Sequence, residues 1–325
     1  AAAAVPITNG QPRVTYLNLP LPFFYSRDSG VALPTAALPY NEMRINFSFR
    51  DWTELLMEED AVTAATANPV YRRAATSASV VTVPELTSAQ VWANYAIVSN
   101  DERKRMACAP RDILIEQAQM ASVVSFNPNT NNSPQVDIRL SHAIKVLFFA
   151  IANRTVANER STYTAGSPQM GTLAECPTKF SSQYQVDPLH QCSLVYENTN
   201  RLGSMGADFF SLVNPYYTAP VIPEVSGYHA YSYSLDFICL DPMGSTNYGK
   251  LTNVSIVPEA TSLAVALAGT TGSTTSVPLT LLAAQGPNLT NASGAQRQQK
   301  YEFVLTSVCN NIIRISGGAL GFPVL

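Results

Sequence analysis

Apolar and polar residues alternate with a period of two in several stretches of the chain. Met43, Ile45, Phe47 and Phe49 alternate with Arg44, Asn46, Ser48 and Arg50, which predicts a strand with one buried face and one wet face. Residues 16–25 are aromatic and apolar but carry Pro20 and Pro22, which suits a sheet edge or a bulge. Asp51 with Glu54 three residues later, ahead of Leu55-Leu56-Met57, predicts a capped short helix. The segment 58–90 reads mostly as loop.

Further along, 90–98 reads as a strand, and Asp101 through Met106, acidic first and basic later, as a short helix that Pro110 ends. A polar tract from Asn127 to Pro134 precedes Val136–Leu140 and the apolar run 144–152, so a domain boundary is expected near 120. Strands are expected at 192–196, 228–237, 251–257 and 301–308, with a short helix at 206–213 terminated by Pro215. A low-complexity stretch from Ala268 to Ser276, with polar turns through Gly294, reads as an exposed loop, and 258–300 as an insert reaching the outer face. The run from Leu19 to Phe49 and the run from Tyr228 to Val257 share a strand, turn, strand outline with few identities. Many short strands with long Pro, Gly and Asn connections predict an all-β sandwich or jelly roll.

Composition narrows the function. Of 325 residues, 46% are hydrophobic and 13% charged, with 20 basic against 23 acidic residues. The low charge argues against disorder, and the absence of a basic excess argues against direct nucleic-acid binding. The longest apolar run, 146–152, is far shorter than the roughly 20 residues that cross a bilayer as a helix, and Ala1–Ala4 has no basic region of a signal peptide. Five cysteines without a CxxC pair fit reduced thiols. A weakly charged surface rich in Ala, Ser, Thr and Asn is poorly protected against self-association, which points toward assembly.

Candidate chemistry is sparse. Gly244 to Lys250 matches G-x-x-x-x-G-K, but Leu251 stands where a phosphate loop needs a hydroxyl and a strand-like segment follows instead of a helix. Gly317 to Gly321 reads as a turn. His142, His190 and His229 lack metal-ligand spacing, and His190 with Cys176 and Cys192 lacks a fourth zinc ligand. Ser141 and His142 are adjacent and would point to opposite faces of a strand. Glu58-Glu59-Asp60 and Asp101-Glu102 read as solvated charge beside bases. Asn46, Asn131, Asn153, Asn253, Asn288 and Asn291 head sequons that matter only on a secretory route. No catalytic, cofactor-binding or metal-ligating residue is nominated and no cofactor is expected. A cluster of Tyr228, Tyr231 and Tyr233 with long loops leaves a carbohydrate-binding or hydrolytic β-sandwich as the alternative.

Several segments carry a resemblance, in order along almost the whole chain. They are 19–34 (LPLPFFYSRDSGVALP), 38–45 (LPYNEMRI), Asp101-Glu102-Arg103, 114–117 (LIEQ), 193–199 (SLVYENT), 242–249 (PMGSTNYG), 311–314 (NIIR) and the ending GFPVL. In these the sequence resembles the major capsid proteins of iridoviruses, among the nucleocytoplasmic large DNA viruses. The resemblance implies an all-β double jelly roll, two eight-stranded sandwiches side by side. Residues 1–120 would be the C-terminal part of a first jelly roll that is incomplete at its N-terminus, and residues 121–325 the second. It implies a structural, non-enzymatic subunit that forms a homotrimer, a pseudo-hexagonal capsomer. That capsomer would touch neighbouring capsomers and minor capsid proteins in an icosahedral shell, and the inner viral membrane only indirectly. The implied location is the virion capsid, assembled in the host cell cytoplasm.

Overall fold

The computed structural model describes residues 16–52, 57–60, 71–74, 85–155, 162–165, 187–269 and 299–323. Strands β1 (Met57–Asp60) and β2 (Tyr71–Ala74) form an antiparallel pair. Helix α1 (Asn100–Cys108) follows. Its Ser99 Oγ accepts from the Glu102 backbone N–H at 3.3 Å, Asp101 and Glu102 occupy the positive first turn, and the helix stops before Pro110.

From Arg111 onward the chain builds a sandwich. Its strands are β3 (Arg111–Met120), β4 (Val124–Phe126), β5 (Val136–Asp137), β6 (Ala143–Asn153), β7 (Leu189–Tyr196) and β8 (Thr199–Gly206). After a π-helical turn at Phe209–Val213 that continues into α2 (Asn214–Thr218) come β9 (His229–Ser232), β10 (Thr246–Asn247) and β11 (Val254–Ala260). Helix α3 (Ser262–Ala268), β12 (Tyr301–Ser316) and β13 (Ala319–Gly321) complete the set.

One seven-stranded sheet is centred on β12, which pairs with β6 along one edge and with β3 and β4 along the other. Beyond β6 lie β9 and β10, and β13 folds back on the end of β12. The second sheet runs β5-β11-β7-β8. Counting β3 with β4, and β9 with β10, as single interrupted strands, and setting aside the short returning strand β13, gives eight strands in the orders 1-8-3-6 and 2-7-4-5. In that interleaved arrangement strands consecutive in sequence repeatedly cross between sheets, which is a jelly roll.

The residues explain the placement. In β12, Tyr301, Phe303, Leu305, Ser307, Cys309, Asn311, Ile313 and Ile315 are buried, while the intervening residues except Asn310 are half-buried or exposed, the period of a strand with one face on a core. Strand β6 is buried at nine of its eleven positions because β12 and β9 flank it and both faces are covered. Its run is accordingly almost continuously apolar. The β7–β8 turn places Glu197 at φ 48° and Asn198 at φ 63°, the left-handed pair that a two-residue hairpin loop requires. The Glu197 carboxylate accepts from the backbone N–H groups of Thr252 and Asn253 at 2.6 and 3.0 Å and ties that tip to the start of β11.

Two apolar clusters share β12. The larger fills the space between the sheets, with Leu147, Phe149, Ile151, Leu194, Ile256, Phe303 and Leu305 among its members. The smaller sits where the second sheet no longer covers β12. There Val31, Ala37 and Leu38, from short turns at 29–31 and 35–37, lie on Ile113, Ile115, Ile313 and Ile315.

Several expectations change. The alternating stretch 43–49 has no ladder partner among the described residues, and Met43, Ile45, Phe47 and Phe49 are all exposed. Residues 90–98 likewise have no ladder partner among the described residues and are exposed except for the half-buried Val98. Alternation records which face seeks a core; it does not supply the neighbour that makes a ladder. Residues 16–25 are also unpaired, with a tight turn at Phe24–Ser26, so the outline shared with 228–257 has no counterpart in the fold. Residues 53–56 of the expected 51–57 helix lie outside the described residues, and Met57 begins β1. The segment 58–90 holds most of β1 and all of β2.

Pro215 does not end a helix. It lies in the first turn of α2, where its missing N–H costs nothing. The 228–237 strand is confined to β9, and the 251–257 strand starts at Val254 because 251–253 form the turn held by Glu197. Residues 258–260 complete β11, and α3 buries Leu263, Ala264 and Leu267 in the core rather than forming an outer loop. Residues 270–298 lie outside the described residues.

Candidate assembly surfaces

A polar belt crosses the seven-stranded sheet between the two clusters. Gln119 Nε2 donates to Ser141 Oγ at 3.2 Å and its Oε1 accepts from the Ser141 backbone N–H at 3.0 Å. Asn311 Nδ2 donates to Gln117 Oε1 at 3.2 Å. The ladder between β6 and β12 slips by one residue here, between Val308 and Cys309, and Lys145 is the extra residue. Lys145 is fully buried. Its Nζ donates to Glu116 Oε1 and to the Cys239 carbonyl, both at 2.5 Å, and Arg27 lies 3.9 Å from the other Glu116 oxygen. A buried ammonium persists only with such partners. Asn310, beside it on β12, is 8% exposed, and neither atom of its amide has a partner.

Next to the belt, where the Tyr233 N–H donates to the Lys145 carbonyl at 2.8 Å and the Tyr248 N–H to the His142 carbonyl at 3.2 Å, the hydroxyls of Tyr196, Tyr233 and Tyr248 hydrogen-bond one another, Tyr196 with Tyr233, Tyr233 with Tyr248 at 2.7 Å, and Tyr196 with Tyr248 at 3.2 Å. They follow β9 and β10 or end β7, so the triad bridges the two sheets. Burial pushes all three phenols above their ordinary titration range. His229 Nε2 pairs with Asp187 Oδ2 at 3.0 Å, and its ring stacks on Phe149.

This geometry settles the sequence candidates. Tyr231 packs edge-on to Tyr233 and Phe210, and Tyr233 belongs to the buried triad, so neither offers a sugar-stacking face; Tyr228 packs on Tyr163. Gly244 to Lys250 forms β10 and a tight turn, with Asn247 Oδ1 accepting from the Gly249 N–H at 2.9 Å. His190 points outward while Cys192 points into the core, and Cys176 lies outside the described residues. Burial raises the Cys192 and Cys309 thiols and leaves them mostly protonated, poor nucleophiles. Ser141 is held by Gln119. Among the described residues no group of three His, Cys, Asp or Glu could hold a metal ion. A small apolar cavity between the sheets, lined by Leu147, Phe149, Leu194, Phe210, Tyr231 and Ile256, has no polar wall with which to fix a substrate.

What the molecule presents instead is apolar surface. Trp92, Tyr95 and Ile97 are 88%, 81% and 95% exposed, and the unpaired stretch 43–49 adds the exposed side chains of Met43, Ile45, Phe47 and Phe49. On the sandwich, Tyr216 and Tyr217 of α2 pack edge-on to each other and are mostly exposed, with Val213 and Val221 nearby in the chain. Met120 at the end of β3 and Leu235 in the loop after β9 are also exposed. Neighbouring exposed aromatics such as Tyr216 and Tyr217 are the kind of apolar surface that marks protein–protein contact.

The comparisons with known proteins agree with this picture. The family described as "Large eukaryotic DNA virus major capsid protein" matches residues 102–321, and "Major capsid protein N-terminus" matches residues 5–98. The chain is 56% identical over 312 residues to the major capsid protein of Costelytra zealandica iridescent virus, covering 95% of this chain and 62% of that one. It is 55% identical to that of Invertebrate iridescent virus 6 and 46% identical to that of Lymphocystis disease virus 1, each over 95% of this chain and 62% of the relative. The chain thus spans about three-fifths of the length of the curated relatives it matches. Among solved structures, the quasi-atomic model of the PBCV-1 virus capsid aligns with a TM-score of 0.52 at 20% identity, over 70% of this chain and 55% of that one. PBCV-1 VP54 fitted into a reconstruction of the virophage Sputnik gives 0.53 at 18% identity, with the same coverages. Those are double jelly-roll capsid proteins, and the fold is theirs. With a jelly roll occupying the span of the first family match, and relatives above 50% identity across nearly the whole chain, this protein belongs to the major capsid proteins of large eukaryotic DNA viruses.

Proposed function

We propose that this chain is the shell-building part of a major capsid protein, a structural subunit rather than an enzyme, working by burial of its flanks against copies of itself. The observation that carries the reading is the pairing of an eight-strand jelly roll with large apolar residues left in water. In this reading the protein forms homotrimers in which two similar lobes per subunit approximate a hexagon, closed by cyclic contacts. Obligate interfaces bury on the order of 2,000–5,000 Å², and a chain with 13% charged residues loses little charge solvation in making them. Neighbouring trimers and minor capsid proteins then complete the icosahedral shell, the inner viral membrane is reached only indirectly, and assembly takes place in the host cell cytoplasm.

The division between lobes is proposed at α1. Strand β3 from Arg111 is an integral strand of the jelly roll, so the second lobe takes in residues that a boundary near 120 would assign to the first. The unpaired stretches 43–49 and 90–98 are then strands of the first lobe. Size-exclusion chromatography with light scattering tests the reading. A mass three times that of the 35.1 kDa subunit supports it, and a folded monomer at every concentration overturns it.

A further inference from the structure

We propose that the segment 24–41 is a strap that seats the N-terminal lobe on the jelly roll, and that the Lys145–Glu116 junction locks the strap and the loop 235–243 in one arrangement; this rests on the two-lobed reading above. Three attachments support it. Val31, Ala37 and Leu38 bury themselves on β3 and β12, far from the strap in sequence. At its end, Asn41 Oδ1 accepts from the Leu320 N–H at 3.1 Å, and Pro39 and Tyr40 lie against Gly318, where a Cβ would come within 3.0 Å of both. At its start, Arg27 reaches Glu116.

The junction joins separate parts of the chain through a single ammonium. Lys145 on β6 holds Glu116 on β3 and the Cys239 carbonyl of the loop, and Leu240, the next residue, packs into the strap's apolar seat. Losing the ammonium frees the loop carbonyl and releases Leu240 from beside the strap. The strap also covers four isoleucines that would otherwise face water, so its release and lobe movement are one event. The angle between lobes is thereby set within each subunit before trimers form.

Hydrogen exchange on the intact chain tests this with two variants, Lys145→Met and Gly318→Ala. The first removes the charge at similar volume. The second places a Cβ against Pro39 and Tyr40 at φ 81°. Each is expected to speed exchange of the backbone amides of Val31, Ala32, Ala37 and Leu38 about tenfold, while Phe303 and Leu305 at the sheet centre stay within about twofold, the mark of local opening. Unchanged strap amides in Gly318→Ala overturn the proposal, as does equal acceleration at the sheet centre. If Lys145→Met does not fold, Gly318→Ala alone decides. Light scattering on the same samples keeps the outcomes apart: a monomeric wild type refutes the capsid reading without touching the exchange result.

Discussion

Asn310 provides a direct test of how polar groups are balanced in the belt. Its amide is 8% exposed, carries two donors and two acceptor sites, and has no partner for either atom. A buried polar group without a partner costs about 1–3 kcal/mol. Replacing it by leucine, which branches at Cγ as asparagine does, removes that cost and adds apolar burial, against which stands the larger volume of two methyl groups on a tetrahedral carbon in a packed site. Asn310→Leu is therefore expected to stabilise the jelly roll by about 1–2 kcal/mol. For a unit of this size that is a rise in melting temperature of about 2–8 °C. Differential scanning calorimetry of the variant and the wild type measures it. A fall in melting temperature would refute the reasoning, because it would mean the amide is held by an ordered partner whose loss outweighs the gain.

Other consequences follow from the same geometry. Phe303→Ala empties a site that is 1% exposed and faces Phe149, so chemical denaturation should show a loss of about 3–5 kcal/mol. Gly227 has φ 90°, and a Cβ there would fall 2.2 Å from the Tyr163 carbonyl oxygen; Gly227→Ala should lower the melting temperature markedly, whereas Gly203→Ala, with open space around it, should barely move it. Burial raises Tyr233, Tyr248 and Tyr301 above their unfolded values near 10. The unfolded chain therefore ionises first, and their contribution is intact below about pH 10 and lost as pH rises beyond it, at up to about 1.4 kcal/mol per pH unit for each group. Melting temperature against pH should fall steeply above 10, and Tyr248→Phe should flatten that fall.

The parts of the fold legible in sequence are those where one residue pattern meets one environment. Strands β6 and the first half of β12 announce themselves because both faces or alternate positions are apolar. Strand β3 is hidden in the sequence because the belt needs Glu116, Gln117 and Gln119 on it, and these polar residues mask its alternation. Strand β8 reads as polar and glycine-rich because it is a sheet edge, exposed along most of its length. Helix α3 is hard to read from sequence because its alanines border a low-complexity stretch.

The tyrosine triad draws on positions 196, 233 and 248, and no local spacing links them; only the sheet topology does. Lys145, a cation inside the otherwise apolar stretch 143–152, hints that a carboxylate must lie nearby, although nothing in the sequence points to Glu116 as its partner. The stretch 43–49 shows the converse. Its pattern is clear, yet the pattern is a requirement for a neighbour rather than evidence of one.

The claim that matters most is that the exposed apolar flanks are covered by further copies of the same chain. Electron microscopy of the purified protein tests this most directly. Particles with threefold symmetry and two lobes per subunit are predicted, and a uniform field of single folded jelly rolls would contradict it.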